Sequence, residues 1–231
     1  MKESPIIIAL DVESAVQART LVRALGDDAS FYKIGMELYA AAGMDFVREL
    51  IASGKQIFLD LKFYDIGETV KRAVAQVAKT GVRFLTLHGS RAVMQAAAEG
   101  RGAAPLQLLA VTVLTSFDQT DLADLGYRCA IADLVSLRVR NAMAAGMDGI
   151  VCSPVEVATV RLIAGEKAIL VTPGVRSAGA GPGDQKRVAT PAEAIAHGAN
   201  FLVVGRQVTR TADPRAALQE IQREIDSLRR T

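Results

Sequence analysis

The sequence predicts an α/β protein: a single (β/α)8 barrel of the TIM type, with residues 1–231 as one domain. Three observations predict it. Eight short apolar runs recur along the chain, and longer segments with helical patterning lie between them. The runs are continuously apolar rather than alternating, which suits parallel strands covered on both faces. No Pro/Gly-rich linker divides the chain, and parallel barrels commonly form one domain of about 250 residues.

In order, the expected strands are 5–11, 31–36, 56–62, 84–88, 106–114, 149–152, 168–173 and 201–205. Ser14 to Leu25 reads as the first helix, with Val16, Leu21, Val22 and Leu25 as its apolar positions. The last helix runs from Asp213 to Leu228, with Leu218, Ile221, Ile225 and Leu228 spaced by threes and fours. Its start pairs a capping Asp213 with Pro214 at the first helical position. Ser153-Pro154 and Thr190-Pro191 repeat the device, so Ser153 reads as a cap. The rival architecture is an open doubly wound sheet. That fold usually places a Gly-rich turn after its first strand, whereas here the turn is Asp11-Val12-Glu13-Ser14.

Composition narrows the function classes. The 27 Lys+Arg and 25 Asp+Glu leave a net charge of +2, and the basic residues are scattered. Neither nucleic acid nor an anionic membrane is expected as partner, because both need clustered positive charge. Arg229-Arg230 is a short basic run and reads as a solvated tail. Cys129 and Cys152 are too few for a disulfide framework or a zinc site, and both read as buried thiols. With only two histidines, His88 and His197, no His-rich metal cluster is available and no metal is expected. The apolar run Ile6–Leu10 is too short for a signal-peptide core, and no segment approaches the ~20 apolar residues that span a bilayer. A soluble, cytoplasmic protein is the expectation.

Chemistry in such barrels sits at the C-terminal ends of the strands. Those ends read Asp11, Lys33, Asp60 with Lys62, His88, Thr115, Ser153, Thr172 with Pro173, and Gly205 with Arg206. Charges among apolar runs cost several kcal/mol unless paired. In the third strand, alternation puts Leu59 and Leu61 toward the helices and Asp60 and Lys62 toward the barrel mouth. Asp65 follows three residues after Lys62. One reading is a buried ion pair that fixes register; the other is a catalytic array, which Lys33 on the neighbouring strand favours.

Strands seven and eight carry a second signal, since these barrels often bind phosphate with the loops that follow them. The loop after strand seven has glycines at 174, 179, 181 and 183, bracketed by Arg176 and Gln185. It reads either as a surface connection or as a lid over a phosphorylated ligand. Gly205-Arg206 favours the lid, because a guanidinium there can grip a phosphate bidentately. His88 and Thr115 are weaker candidates for ligand contact.

At these residues the sequence resembles the orotidine 5′-phosphate decarboxylase family. Asp60-Leu61-Lys62-Phe63-Tyr64-Asp65-Ile66, followed by Thr69, fits the family signature Asp-x-Lys-x-x-Asp-Ile…Thr. Ala9-Leu10-Asp11, Lys33-Ile34-Gly35, Leu114-Thr115-Ser116, Thr172-Pro173-Gly174-Val175-Arg176, Gly183-Asp184-Gln185 and Val204-Gly205-Arg206 extend the match along the chain. Tyr64 stands where many members have His, and Gly67 where many have Pro.

The resemblance implies decarboxylation of orotidine 5′-monophosphate with no cofactor. It implies Lys62 as proton donor, flanked by Lys33, Asp60 and an Asp65 supplied by the other subunit of a homodimer with shared sites. Ile66 and Thr69 would reach into the partner's site in the same way. Asp11 would hold the ribose hydroxyls and Thr115 the pyrimidine edge, with Pro173 also at the ligand. Gln185, Gly205 and Arg206 would hold the phosphate, with Arg176 on the closing loop. The chemistry suits these residues. Loss of CO2 leaves an in-plane carbanion on the ring, and without an electron sink its stabilisation must come from fixed positive charge. A rival on a similar barrel is a magnesium-dependent sugar-phosphate lyase or synthase, which would need an acidic metal cage. A non-catalytic nucleotide-binding protein is the third reading.

Overall fold

A computed structural model of the chain describes residues 4–177 and 187–228. Eight parallel strands pair in sequence order, and β8 closes onto β1. They are β1 (Ile6–Ala9), β2 (Phe31–Gly35), β3 (Gln56–Phe63), β4 (Phe84–Leu87), β5 (Gln107–Val111), β6 (Gly149–Val151), β7 (Ile169–Pro173) and β8 (Phe201–Val204). The helices are α1 (Ala15–Leu25), α2 (Met36–Ala52), α3 (Gly67–Val77), α4 (Arg91–Arg101), α5 (Gln119–Asp124), α6 (Ile131–Ala144), α7 (Val157–Ala164), α8 (Pro191–Ala196), α9 (Arg206–Thr209) and α10 (Pro214–Leu228). The expected (β/α)8 barrel is therefore the observed fold, and the doubly wound alternative is excluded by closure.

The helix starts follow their capping residues. Ser14 accepts the Gln17 amide ahead of α1, Thr190 accepts the Glu193 amide ahead of α8, and Asp213 accepts the Ala216 amide ahead of α10. The expected strand 106–114 is shorter than its apolar run, because pairing stops at Val111. Beyond it the backbone is held by side chains instead: Arg138 donates to the Thr112 carbonyl, and Arg187 to the carbonyls of Val113 and Leu114. Cys152 is buried as expected, while Cys129 is only half-buried.

Strand alternation splits each apolar run between two cores. Outward residues such as Ile8, Ile34, Leu59, Leu85 and Leu108 join the layer between sheet and helices. Inward residues Ile7, Phe31, Phe58, Phe84, Leu109, Val171 and Phe201 fill the barrel. Full burial of each such side chain contributes about 1.5–3 kcal/mol. Phe31, Phe84 and Phe201 pack with ring centroids 5.1–5.7 Å apart. Arg83, just before β4, lies over all three rings at 5.0–5.1 Å. The lower barrel is thus a solid aromatic plug.

Polar residues begin one inward step above it. Phe31, Phe58 and Phe84 are each followed two residues later by Lys33, Asp60 and Thr86, on three adjacent strands. The period-two geometry therefore stacks a polar layer on an aromatic one.

Candidate active site

The polar layer forms a chain of contacts across the barrel mouth. Lys33 Nζ donates to Asp11 Oδ1 at 2.7 Å and stands 3.8 Å from Asp60 Oδ2. Lys62 Nζ donates to Asp60 Oδ1 at 2.9 Å. The structure thus brings together Asp11, Lys33, Asp60 and Lys62, in alternating charge. Asp60 is largely enclosed, its side chain 15% exposed, whereas Asp11 is 56% exposed and faces the cavity. Burial alone would raise the Asp60 carboxyl, but the charges of Lys33 and Lys62, with hydrogen bonds from Lys62 and Thr86, outweigh it and hold Asp60 below its ordinary value. Gly35 makes room for this arrangement: a Cβ there would lie 3.1 Å from Lys33 Nζ and 3.3 Å from Asp11 Oδ1.

Local backbone sets the position of Lys62. Register shifts between Leu59 and Phe63, and Lys62 has φ of +48°, the one positive value outside glycine among the described residues. The Lys62 amide donates to Thr86 Oγ1 at 2.9 Å, and the Thr86 hydroxyl donates to Asp60 Oδ1 at 2.9 Å. Thr86 is fully buried. Thr86 is not among the charged or strand-end candidates, because within Phe84-Leu85-Thr86-Leu87 it reads as an ordinary strand residue.

Asp65 lies elsewhere. It is exposed, accepts its neighbour Ile66's amide at 2.6 Å, and makes no ion pair with Lys62 among the described residues. Ile66 precedes α3 and is 72% exposed, as is Tyr64 at 68%. Thr69, on the first turn of α3, is half-buried. Tyr64, Asp65 and Ile66 thus form an exposed segment between β3 and α3.

Two cavities meet at Pro173. One, of about 160 Å³, is lined by Asp60, Lys62, Thr115, Ser116, Cys152 and Pro173. The other, of about 300 Å³, runs past Asp11, Lys33 and Pro173 to Arg176, Gly205, Arg206 and Arg210. Burial lowers the Arg176 guanidinium, and the charge of Arg206 lowers it further, so two cations share one end of the cavity. Such an end favours a dianion. Gln185 and the glycines at 179, 181 and 183 lie outside the described residues.

His88 sits beside this site, its ring 3.5 Å from Arg138 and 6.0 Å from the Tyr64 ring. Burial first, then the charges of Arg138 and Lys62, hold its imidazole below the ordinary value, which favours the neutral ring. Ser153 caps no more than expected from its place before Pro154, but its hydroxyl also donates to the Arg187 carbonyl at 3.1 Å. Arg187 pairs with Glu156, residues too far apart along the chain for any spacing pattern to announce the partnership. Among the described residues no group of three or more His, Cys, Asp or Glu suited to a metal ion occurs, and no helix is long and apolar enough to cross a membrane.

Fold and site together define a (β/α)8 barrel whose charged side chains converge on an elongated cavity at the C-terminal mouth. The chain belongs to the orotidine 5′-phosphate decarboxylase / HUMPS family, which it matches over residues 4–221. It is 52% identical over 220 residues to a protein of Rhodopseudomonas palustris (strain BisA53) named orotidine 5′-phosphate decarboxylase, covering 95% of this chain and 94% of that one. A Nitrobacter winogradskyi protein of the same name is 49% identical over 225 residues, covering 97% and 94%. Among solved structures, orotidine 5′-phosphate decarboxylase from Lactobacillus acidophilus superposes with a TM-score of 0.84 at 36% identity, covering 97% of this chain and all of that one.

Proposed function

We propose that this chain decarboxylates orotidine 5′-monophosphate to uridine 5′-monophosphate in de novo pyrimidine biosynthesis, with Lys62 as proton donor. The observation that carries the reading is the ammonium of Lys62 fixed on the largely enclosed Asp60 at the cavity that also reaches Thr115. The C6–carboxylate bond breaks, its electron pair stays on C6, CO2 leaves, and Lys62 delivers a proton to C6. A fixed cation beside that carbon stabilises the charge as it develops. Water then restores the proton to Lys62.

The residues lining the two cavities suit a nucleotide. Thr115 and Pro173 flank the pyrimidine end, Asp11 and Lys33 face the ribose, and Arg176, Gly205 and Arg206 surround the phosphate, with Gln185 assigned there by family resemblance alone. Phosphate binding far from the breaking bond can be expressed in the transition state. No cofactor or metal enters the reaction in this reading.

The reading extends to a cytoplasmic homodimer in which Asp65, Ile66 and Thr69 complete the partner's site, with residues 1–231 as one domain. Exposed Tyr64 and Ile66 flanking Asp65 support it, since large apolar side chains beside a carboxylate suit contact with a second copy. Neither nucleic acid nor a membrane is a partner.

The test is to follow the ultraviolet absorbance of orotidine 5′-monophosphate with purified protein and EDTA. Decay to the uridine nucleotide is expected. No decay with chelator, and activity only with added magnesium, would move the assignment to a metal-dependent sugar-phosphate enzyme of the same barrel type.

A further inference from the structure

We propose that Thr86 is a positioning residue for the reaction: its hydroxyl fixes the Lys62 backbone and the Asp60 carboxylate relative to each other. This rests on the reading of Lys62 as proton donor. Thr86 lines neither cavity of the site, so it acts through its two partners.

Lys62 occupies a backbone region that a non-glycine side chain adopts only under constraint, φ +48°. Such a conformation persists when its surroundings over-determine it. The pairing of β3 with β4 is irregular at this point and resumes only at Phe63. Thr86 supplies the missing acceptor, taking the Lys62 N–H at 2.9 Å. The same oxygen then has one proton to give, and it gives it to Asp60 Oδ1, also at 2.9 Å. That carboxylate oxygen is the one bound by Lys62 Nζ. One buried hydroxyl therefore ties the backbone of residue 62 to the anion that holds its side chain.

The groups facing Asp60 are Lys62 from its own strand, Lys33 from β2 and Thr86 from β4, with Asp11 beyond Lys33. Removing the Thr86 hydroxyl leaves both cations in place but takes one donor from the carboxylate. It also strands the Lys62 amide. The ammonium then loses its register with the reacting carbon.

The experiment compares wild type, Thr86→Val and Thr86→Ser in steady-state turnover across pH, alongside product-nucleotide binding. Valine keeps the shape and removes both hydrogen bonds, while serine keeps the hydroxyl. The expected result is a kcat lower by about 10–100-fold in Thr86→Val, the scale for a misplacement near 1 Å. KM and nucleotide affinity should hold within about threefold, and the acid limb of kcat should move to higher pH. Thr86→Ser should restore kcat to within about threefold of wild type. Equal effects of valine and serine, or a kcat in Thr86→Val equal to wild type, would overturn the proposal.

If Thr86→Val does not fold, Thr86→Ala read against Thr86→Ser replaces it. Wild type without decarboxylase activity would refute the proposed function instead. The titration of the Asp60 carboxyl carbon by NMR tests the Thr86 contact separately: displaced upward in Thr86→Val, the hydroxyl holds the Asp60 carboxylate; unmoved, the Thr86 proposal falls whatever the activity.

Discussion

Asp60 binds Lys62 Nζ at 2.9 Å through one carboxylate oxygen and faces Lys33 Nζ at 3.8 Å through the other. Two strands thus deliver cations to a single, largely enclosed anion. Asp60→Asn removes the shared counter-charge and should destabilise the fold by about 1–3 kcal/mol at neutral pH. Because the folded-state carboxyl is held below its ordinary value, Asp60 contributes stability above the unfolded-state value of about 3.9 and loses it as pH falls through the folded-state one. Chemical denaturation of wild type and variant should therefore show a constant gap at neutral pH that narrows below about pH 4. A gap independent of pH down to acid unfolding would contradict the assigned charge state.

Arg206 and Arg176 share the far end of the larger cavity. Arg206→Ala should weaken nucleotide binding by about 10–100-fold, as expected for losing a charge-assisted bidentate contact. Inorganic phosphate should raise the melting temperature of wild type, and much less that of the variant. Isothermal titration with uridine 5′-monophosphate checks the first effect, and unchanged affinity would remove Arg206 from the phosphate site.

Asp65 makes no ion pair with its own Lys62 among the described residues, and in the proposed dimer it completes the partner's site. Lys62→Ala and Asp65→Ala should each be inactive alone. Mixed under conditions of subunit exchange, they should regain about a quarter of wild-type activity, because half of the dimers carry one intact site of two. No recovery with demonstrated exchange would put Asp65 outside the neighbouring site.

Arg83 closes the lower barrel over three phenylalanine rings. Arg83→Ala should lower stability by about 1–3 kcal/mol, from lost cation–π contact and packing, with KM unchanged. Denaturant titration reads the first quantity and steady-state kinetics the second.

The barrel was legible because continuous apolar runs and capped helices recur with a fixed alternation. Lys33, Asp60 and Lys62 were legible for the same reason, as charges interrupting those runs at strand ends. Thr86 was not, since threonine is a common strand residue and its burial beneath Lys62 depends on a positive φ that no pattern announces. The loop after β5 was missed in part because Thr112, Val113 and Leu114 carry strand-like side chains. Their carbonyls are taken by Arg138 and Arg187, which lie far away in sequence.

The central claim is that the Lys62 ammonium stabilises and protonates the carbon that loses CO2. Its most direct test is turnover of orotidine 5′-monophosphate by Lys62→Ala, with product-nucleotide affinity measured on the same preparation. The account predicts that the rate falls by more than about 10⁴-fold while the nucleotide still binds. A variant that binds nucleotide and decarboxylates at near wild-type rate would contradict it.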